Sequence, residues 1–404
     1  MGNFKRVVWV VLDGVGCGAL PDAKSYGDVG SDSLGNLAKK RPLHLPVLQK
    51  LGLGNLTTIA GVAPLKAGEG LGAYSKAIER SKGKDTTTGH WEMAGIVLNK
   101  AFKTFPDGFP KKAVEKWIKE NELPGVLGNK AASGTEIIKE LGDEHVASGK
   151  PILYTSADSV WQVAAHEEAF GLDRLYAICK SARKLCTDLG IGRVIARPFI
   201  GGRNTGEPYT RTYNRKDYAD PPTKKTVLDH LRARRIPTLG IGKIGSIFAG
   251  QGISENWDSA GNADGMVLLG KSIAKLKTGL VYCNLIDTDM LYGHRRDVEG
   301  YARCLEEFDT LLGSLLDSLK PSDLVIVTSD HGNDPTFPGT DHTREHVPVL
   351  TYFKPRATVA AGAKNLGVRK GFGDMGATIL EALTEQKPRA GLIDGVSFLE
   401  ELCE

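Results

Sequence analysis

Long apolar runs are missing from this sequence. No stretch approaches the ~20 residues a membrane-spanning helix needs, and the chain reaches "RVVWVVLDG" without the cleavage region of a secretory signal. That short run reads instead as a buried strand, and a cytoplasmic protein with no membrane partner is expected. Cysteine is scarce as well. Cys17, Cys179, Cys186, Cys283, Cys304 and Cys403 lie far apart with no CxxC spacing, which argues against a zinc ribbon or a redox pair and fits reduced thiols. Nor is there a basic block: a formal net charge of +4 spread over 404 residues speaks against a nucleic-acid tail and leaves room for small anionic substrates. Internal repeats and low-complexity tracts are absent too. The length exceeds what one hydrophobic core usually supports, so two domains are expected.

What is present is a set of apolar runs that end in acids. Arg6 to Leu12 is a compact β-branched run stopped by Asp13 and the glycine-rich "GVGCGALPDA". Leu280 to Ile286 is followed by Asp287, Asp289 and His294, and Leu324 to Thr328 by Asp330, His331, Asp341, His342 and His346. Such runs read as central parallel strands, and the carboxyl edge of an open α/β sheet is where ligands bind. Between the last two, Val298 to Leu319 carries Leu305, Phe308, Leu312, Leu315 and Leu319 at helical spacing and forms an amphipathic crossover. A helix around Thr226 to Arg234 and a strand from Ile236 to Ile241 add to an α/β core with a mixed or parallel sheet.

The middle of the chain differs. Amphipathic pieces (Lys111 to Glu120, Gly134 to Leu141, Leu172 to Leu189), two strands (Ile152 to Thr155, Arg193 to Pro198) and many glycine and proline breaks suggest a smaller α/β domain over 101–218, inserted between core halves 1–100 and 219–404.

Singly, each acid at a strand end could cap a turn. Together, Asp13, Asp289, His294, Asp330, His331 and His342 are six ligand-type side chains from three segments. Mixed carboxylate and imidazole ligands suit Mn2+ or Zn2+ better than Mg2+. Six ligands are too many for one ion that keeps an open position and suit a pair of ions set for phosphoryl displacement. This gives meaning to "GKDTTTGHWEMAG", residues 83–95. Three β-branched residues between Gly83 and Gly89 point to a loop, with Asp85 or one threonine capping a helix over His90 to Ile96. A threonine oxygen bridging two cations, itself a metal ligand, would also be deprotonated near neutrality and accept phosphate, helped by a helix start. His90 either donates to that phosphate or buttresses the turn.

"VVLDGVGCGALPDA", "GKDTTTGHWEMAG", "NLIDTDMLYGHRRD" and "TSDHGNDPTFPGTDHTREHVP" closely resemble the prokaryotic phosphopentomutases of the alkaline phosphatase superfamily, and the likeness runs through essentially the whole chain. The resemblance implies an alkaline phosphatase-like core sheet flanked by helices, with an inserted cap. It implies an isomerase that interconverts ribose 1-phosphate or 2-deoxyribose 1-phosphate and the 5-phosphate through a phosphothreonine and a 1,5-bisphosphate. By motif, Thr86 is the nucleophile and, as the bridging oxygen, a residue of the metal site; nothing else separates it from Thr87 and Thr88, which become turn and cap residues. Asp13, Asp330 and His331 would hold one Mn2+, and Asp289, His294 and His342 the other, with a sugar bisphosphate as activator. "YTSADSVWQVAAHEE" resembles the segment that faces the sugar, which makes Ser156 and Asp158 candidates for hydroxyl contacts. Arg193, Arg197, Arg203, Arg211 and Arg215 fall in one stretch suited to a bidentate phosphate clamp, and the resemblance favours Arg197 and Arg211. Two alternatives share such a core, a dimetal phosphohydrolase and a cofactor-independent phosphoglycerate mutase-like enzyme; the latter typically uses serine and a larger insertion. The motifs carry no information on oligomeric state.

Overall fold

The computed structural model describes residues 4–156, 159–202, 206–354 and 362–403. They divide into two compact units, Met1–Ala101 with Pro222–Glu404, and Phe102–Pro221. Among the described residues no helix is long and apolar enough to cross a membrane, and the six cysteines are unpaired.

The first unit is built on an eight-stranded sheet. Numbered along the chain, its strands are β1 (Arg6–Leu12), β2 (Ala73–Ala77), β9 (Thr238–Ile241), β10 (Glu255–Trp257), β11 (Gly279–Leu285), β12 (Asp323–Thr328), β13 (Val347–Tyr352) and β14 (Lys364–Arg369), in the order β10-β9-β11-β1-β12-β13-β2-β14. β1 runs parallel to β11 and β12 on either side and is buried along its whole length, which is why its sequence is apolar without alternation. Val8 and Val10 face the core that Leu305, Phe308 and Leu312 of the crossover helix Val298–Ser318 complete. On the opposite face Trp9 and Tyr282 stack with ring centroids 4.2 Å apart. Leu12 pairs with Leu285 and Val11 with Thr328, so the segments after β1, β11 and β12 emerge at one sheet edge. At the other edge Arg6, opening β1, forms a buried ion pair with Asp323, opening β12. Beyond β12 the sheet turns mixed: β13 is antiparallel to both neighbours, and β14 is parallel to β2.

The second unit has its own sheet: β3 (Leu127–Ala131), β4 (Ile152–Thr155), β5 (Val160–His166), β6 (Arg193–Gly202), β7 (Glu207–Arg211) and β8 (Lys216–Ala219). The order is β3-β4-β5-β6-β7, with β8 pairing the first half of β6. Both faces are covered. Trp161, Val163 and Ala165 pack with Trp117 and Cys179 of the helices Lys111–Glu120 and Leu172–Leu189, whereas Ile152, Tyr154, Ala164 and Phe199 pack with Ile137 and Ile138 of the helix Gly134–Ser148. Six strands replace the two expected, and the helix expected to stop at Leu141 continues to Ser148, where Gly149 ends it in the left-handed region.

One ring on that helix makes the unit sensitive to acid. His145 donates Nδ1–H to the Lys150 carbonyl (2.7 Å) and accepts the His166 backbone N–H at Nε2 (2.8 Å), an arrangement only the neutral ring can make. Burial holds its pKa below the ordinary 6.5. Above that value the ring is neutral whether the chain is folded or not. As pH falls below it the unfolded chain takes up a proton that the folded ring refuses, so stability is lost until the folded pKa is reached. Protection of the β5 amides, corrected for the intrinsic exchange rate, is expected to fall as the pH drops through and below 6.5. The non-titrating His145→Gln variant is expected to lack that pH dependence.

Candidate metal centre and nucleophile

Three segments leave the shared edge of β1, β11 and β12 carrying the ligand-type residues. Asp13, directly after β1, is buried; its Oδ1 lies 3.4 Å from Nε2 of His331, and its Oδ2 accepts from Asn284 Nδ2 at 3.0 Å. Asp330, after β12, accepts the backbone N–H groups of Gly14 and His331 at Oδ1, both at 3.1 Å. Its Oδ2 is buried without a hydrogen bond and lies 3.5 Å from His331 Nε2. Asp289 receives His294 Nε2 at 3.3 Å on one oxygen and His342 Nε2 at 3.3 Å on the other, and the two imidazole nitrogens are 3.2 Å apart. Possible ligand atoms thus converge in two buried groups, Asp13 with Asp330 and His331, and Asp289 with His331 and His342. His331 borders both, and His294 joins the second through its contacts to Asp289 and His342.

This donor set fits divalent cations. His331 Nδ1 faces the Gly332 carbonyl (3.1 Å) and His294 Nδ1 the Thr340 carbonyl (2.7 Å). Carbonyls only accept, so each Nδ1 carries a proton and Nε2 is the atom left to face the carboxylate oxygens, the orientation that metal-bound histidines take. Lone pairs facing lone pairs at such range repel unless positive charge lies between them. The acids agree. Burial alone would raise Asp289, but His342 and His294 pull it well below the ordinary carboxylate value. Asp13 is likewise lowered, burial being outweighed by His331 with help from Lys243. Burial would lower His331, yet Asp330, Asp13 and Asp289 push it well above 6.5. A pocket that draws a proton onto a buried imidazole holds excess negative potential.

Thr86 stands beside the first group, its Oγ1 3.3 Å from His331 Nε2 and 3.5 Å from Asp13 Oδ1. The loop expected for the three threonines is in fact the first turn of a helix, Thr86–Met93. Its N-cap is Asp85, which accepts from the Thr88 N–H (3.1 Å) and the Thr88 hydroxyl (2.5 Å); Thr87 and Thr88 are helical rather than turn and cap residues. Tertiary contacts override the β-branched preference. Glu92 accepts the backbone N–H groups of Arg80, Ser81 and Phe372, and His90 donates Nδ1–H to the Thr86 carbonyl (2.8 Å) with Asp330 Oδ2 at 3.2 Å. His90 therefore buttresses the turn. Gly89 lets the helix touch the Asp330 backbone: a Cβ there would sit 2.1 Å from the Asp330 carbonyl oxygen. Gly89→Ala is expected to cost about 1–3 kcal/mol through overpacking and to displace Asp330, which denaturant titration and metal titration would show together.

The sequence matches the metalloenzyme superfamily over residues 5–387. It is 52% identical to a phosphopentomutase of Anaeromyxobacter sp. (strain K) over 378 residues, 93% of this chain and 95% of that one. It is 50% identical to a phosphopentomutase of Symbiobacterium thermophilum over 405 residues, the whole of both chains. The chain belongs to the phosphopentomutase family. A solved structure of a Pyrococcus horikoshii protein, 12% identical with a TM-score of 0.50, covers 97% of this chain and 100% of itself and shares its fold. The fold class is thus the alkaline phosphatase-like one of the metalloenzyme superfamily, and the protein is an isomerase that binds divalent metal.

Other strand-end acids of the chain follow the plainer reading. Asp287 accepts the Asn262 N–H (2.7 Å) where the helix Asn262–Lys275 begins, Asp341 pairs with Lys84 (3.2 Å), and His346 Nδ1 turns to the Gly18 carbonyl. In the second unit, Ser156 is half-buried and Asp158 and Arg203 lie outside the described residues. Arg215 is bound in a fork to Asp217 (2.6 and 2.7 Å), with Arg193 also beside that carboxylate. Arg197 donates Nε–H to Gln162 (3.0 Å); burial first, then Arg215, lowers its pKa to about 10. The Tyr154 hydroxyl is buried without a partner near Gly134, the first residue of its helix, where Arg211 also approaches. Sequence reasoning missed Asn284, Asn333, Lys243 and Tyr154. An asparagine inside the apolar run "VYCNL" was the one available signal.

Proposed function

We propose that Thr86 carries the phosphoryl group through which this phosphopentomutase interconverts ribose 1-phosphate or 2-deoxyribose 1-phosphate and the corresponding 5-phosphate. The observation that carries this reading is the Thr86 hydroxyl at the start of a helix, within 3.5 Å of both Asp13 and His331. In the first half-reaction the bond between Thr86 Oγ1 and phosphorus breaks and one to the free sugar hydroxyl forms, giving a 1,5-bisphosphate. In the second the opposite phosphoryl group returns to Oγ1, so phosphorus is conserved and the isomeric monophosphate leaves. Asp13, Asp330 and His331 would hold one Mn2+ and Asp289, His294 and His342 the other; bound ions would stabilise charge on the entering and leaving oxygens. The partial positive charge of the helix start favours the phosphate on Thr86, and His90 fixes the carbonyl of the same residue.

Within the inserted unit we assign phosphate binding to a second set of residues. Arg197, Arg211, the unpartnered Tyr154 hydroxyl and the start of the helix Gly134–Ser148 support phosphate binding there. Ser156 and Asp158 are assigned to sugar hydroxyls on the motif alone. We take 1–100 and 219–404 as catalytic core and 101–218 as cap, and the cytoplasm as the place of action on dissolved pentose phosphates. A sugar bisphosphate primes Thr86.

Incubation with a hexose or pentose bisphosphate and Mn2+, followed by ribose 5-phosphate, tests the reading by phosphorus NMR and peptide mapping. Ribose 1-phosphate should appear, with one phosphate per chain on Thr86. Steady release of inorganic phosphate without the 1-phosphate would favour a hydrolase instead.

A further inference from the structure

Two residues after His294, Arg296 holds a backbone φ of +56°, a left-handed conformation that costs a side-chain-bearing residue energy. Its guanidinium makes five hydrogen bonds. Nε donates to the Gly339 carbonyl (2.6 Å) and Nη2 to the Asp341 carbonyl (3.0 Å). Nη1 reaches the Gly293 carbonyl (2.9 Å), the Asp334 carbonyl (3.0 Å) and Asn333 Oδ1 (2.6 Å). All five acceptors are neutral oxygens, and they come from three segments: the turn leading into His294, the loop after His331 and the turn leading into His342.

The Asn333 contact matters most. Because Oδ1 accepts from Arg296, the amide must present Nδ2 to Asp289, whose Oδ1 it meets at 2.8 Å. The same turn that Arg296 holds at Gly339 and Asp341 supplies the Thr340 carbonyl that fixes the tautomer of His294. Arg296 therefore acts on Asp289 through Asn333, on His294 through Gly293 and Thr340, and on His342 through Asp341. Through Asn333 and Asp334 it also holds the loop after His331, which borders both groups, whereas none of its five acceptors belongs to the segment that carries Asp13.

We propose that Arg296 is a positioning residue for the second cation, a staple that holds Asp289, His294 and His342 in ligating geometry without touching the ion. The assignment rests on the reading that those three residues hold a cation. A lysine cannot replace it, since a single ammonium does not present the fork that five acceptors require.

Arg296→Gly and Arg296→Lys test the proposal. Glycine accepts the positive φ without strain, so the turn is kept while the staple is removed; lysine keeps the charge and loses the fork. Apo-protein is titrated with Mn2+ by calorimetry and electron paramagnetic resonance. The wild type should bind two ions per chain. Both variants should keep the first at near wild-type affinity and bind the second about 10–100-fold more weakly, the usual effect of losing a partner behind a metal ligand. Excess Mn2+ should then restore their turnover. Unchanged binding of both ions would overturn the assignment, as would equal weakening of both, or full recovery by lysine, which would make charge and not the staple responsible. A wild type that binds fewer than two ions would refute the two-cation reading itself.

Discussion

Thr86→Val is expected to lower mutase turnover on the order of 10^4-fold or more, the scale seen when a nucleophile that acts with its neighbours as one unit is removed. Valine has the same branched shape as threonine and similar helix propensity, so the helix Thr86–Met93 should survive, anchored by Asp85 and Glu92. Only the hydroxyl beside Asp13 and His331 is lost. The neighbours provide the contrast. Thr88→Val removes a hydroxyl bonded to the Asp85 carboxylate and should cost about 1.5–3 kcal/mol of stability while leaving most of the turnover; Thr87→Val should do less. Coupled assay of the three variants, with mapping of phosphate after priming by a bisphosphate, distinguishes them. Phosphate found on Thr87 or Thr88, or full turnover by Thr86→Val, would move the nucleophile elsewhere.

The parts of the fold that were legible in the sequence are those whose burial leaves an unbroken signal. "RVVWVVL", "GLVYCNL" and "DLVIVT" are buried on both faces, so apolarity runs through each and stops at the sheet edge. The antiparallel side was hidden for particular reasons. β13 contains Pro348, β2 places Ser75 and Lys76 within a short segment, and β14 is an edge strand with a register shift between Asn365 and Val368. In the second unit β3, β7 and β8 are short and largely polar, as exposed strands are. The helix read as far as Leu141 runs on through Gly142, where the ring of Tyr209 packs against the place a side chain would fill.

The site divides in the same way. Carboxylates and imidazoles just after buried strands stand out, because ionisable groups are seldom placed there without a partner. Their supports do not stand out. Asn284 and Asn333 are amides whose role lies in which end of the group faces a ligand, and Arg296 is one arginine among many until five carbonyl-type oxygens converge on it. Such roles arise from contacts between segments far apart in the chain, as with Asn284 and Asp13, or Asn333 and Asp289. The three threonines mislead for a related reason: local preference speaks for a turn, and the Asp85 cap is joined by contacts of Glu92 and Gly89 to distant segments in holding them helical.

Removing the metals is expected to abolish turnover and to lower the thermal midpoint of the first unit on the order of 10 °C. A ligand at about 100 times its dissociation constant stabilises the folded state by about 2.7 kcal/mol, so two such sites contribute about 5 kcal/mol. A domain of this size shifts by about 2–4 °C for each kcal/mol. The physical source is visible in the pocket. Without cations, Asp13, Asp289 and Asp330 are buried close together, one oxygen of Asp330 has no hydrogen bond, and His331 must carry a proton to offset them. Hydrogen exchange of β1, β11 and β12 should quicken on chelation, because their carboxyl ends bear the repelling groups. Restoring Mn2+ should recover both properties at lower concentration than Mg2+, since His294, His331 and His342 present imidazole nitrogens that Mg2+ binds poorly. An unchanged midpoint after complete chelation would mean that these residues satisfy one another as an ion-pair network, and Thr86 would then have no cations beside it to activate its hydroxyl.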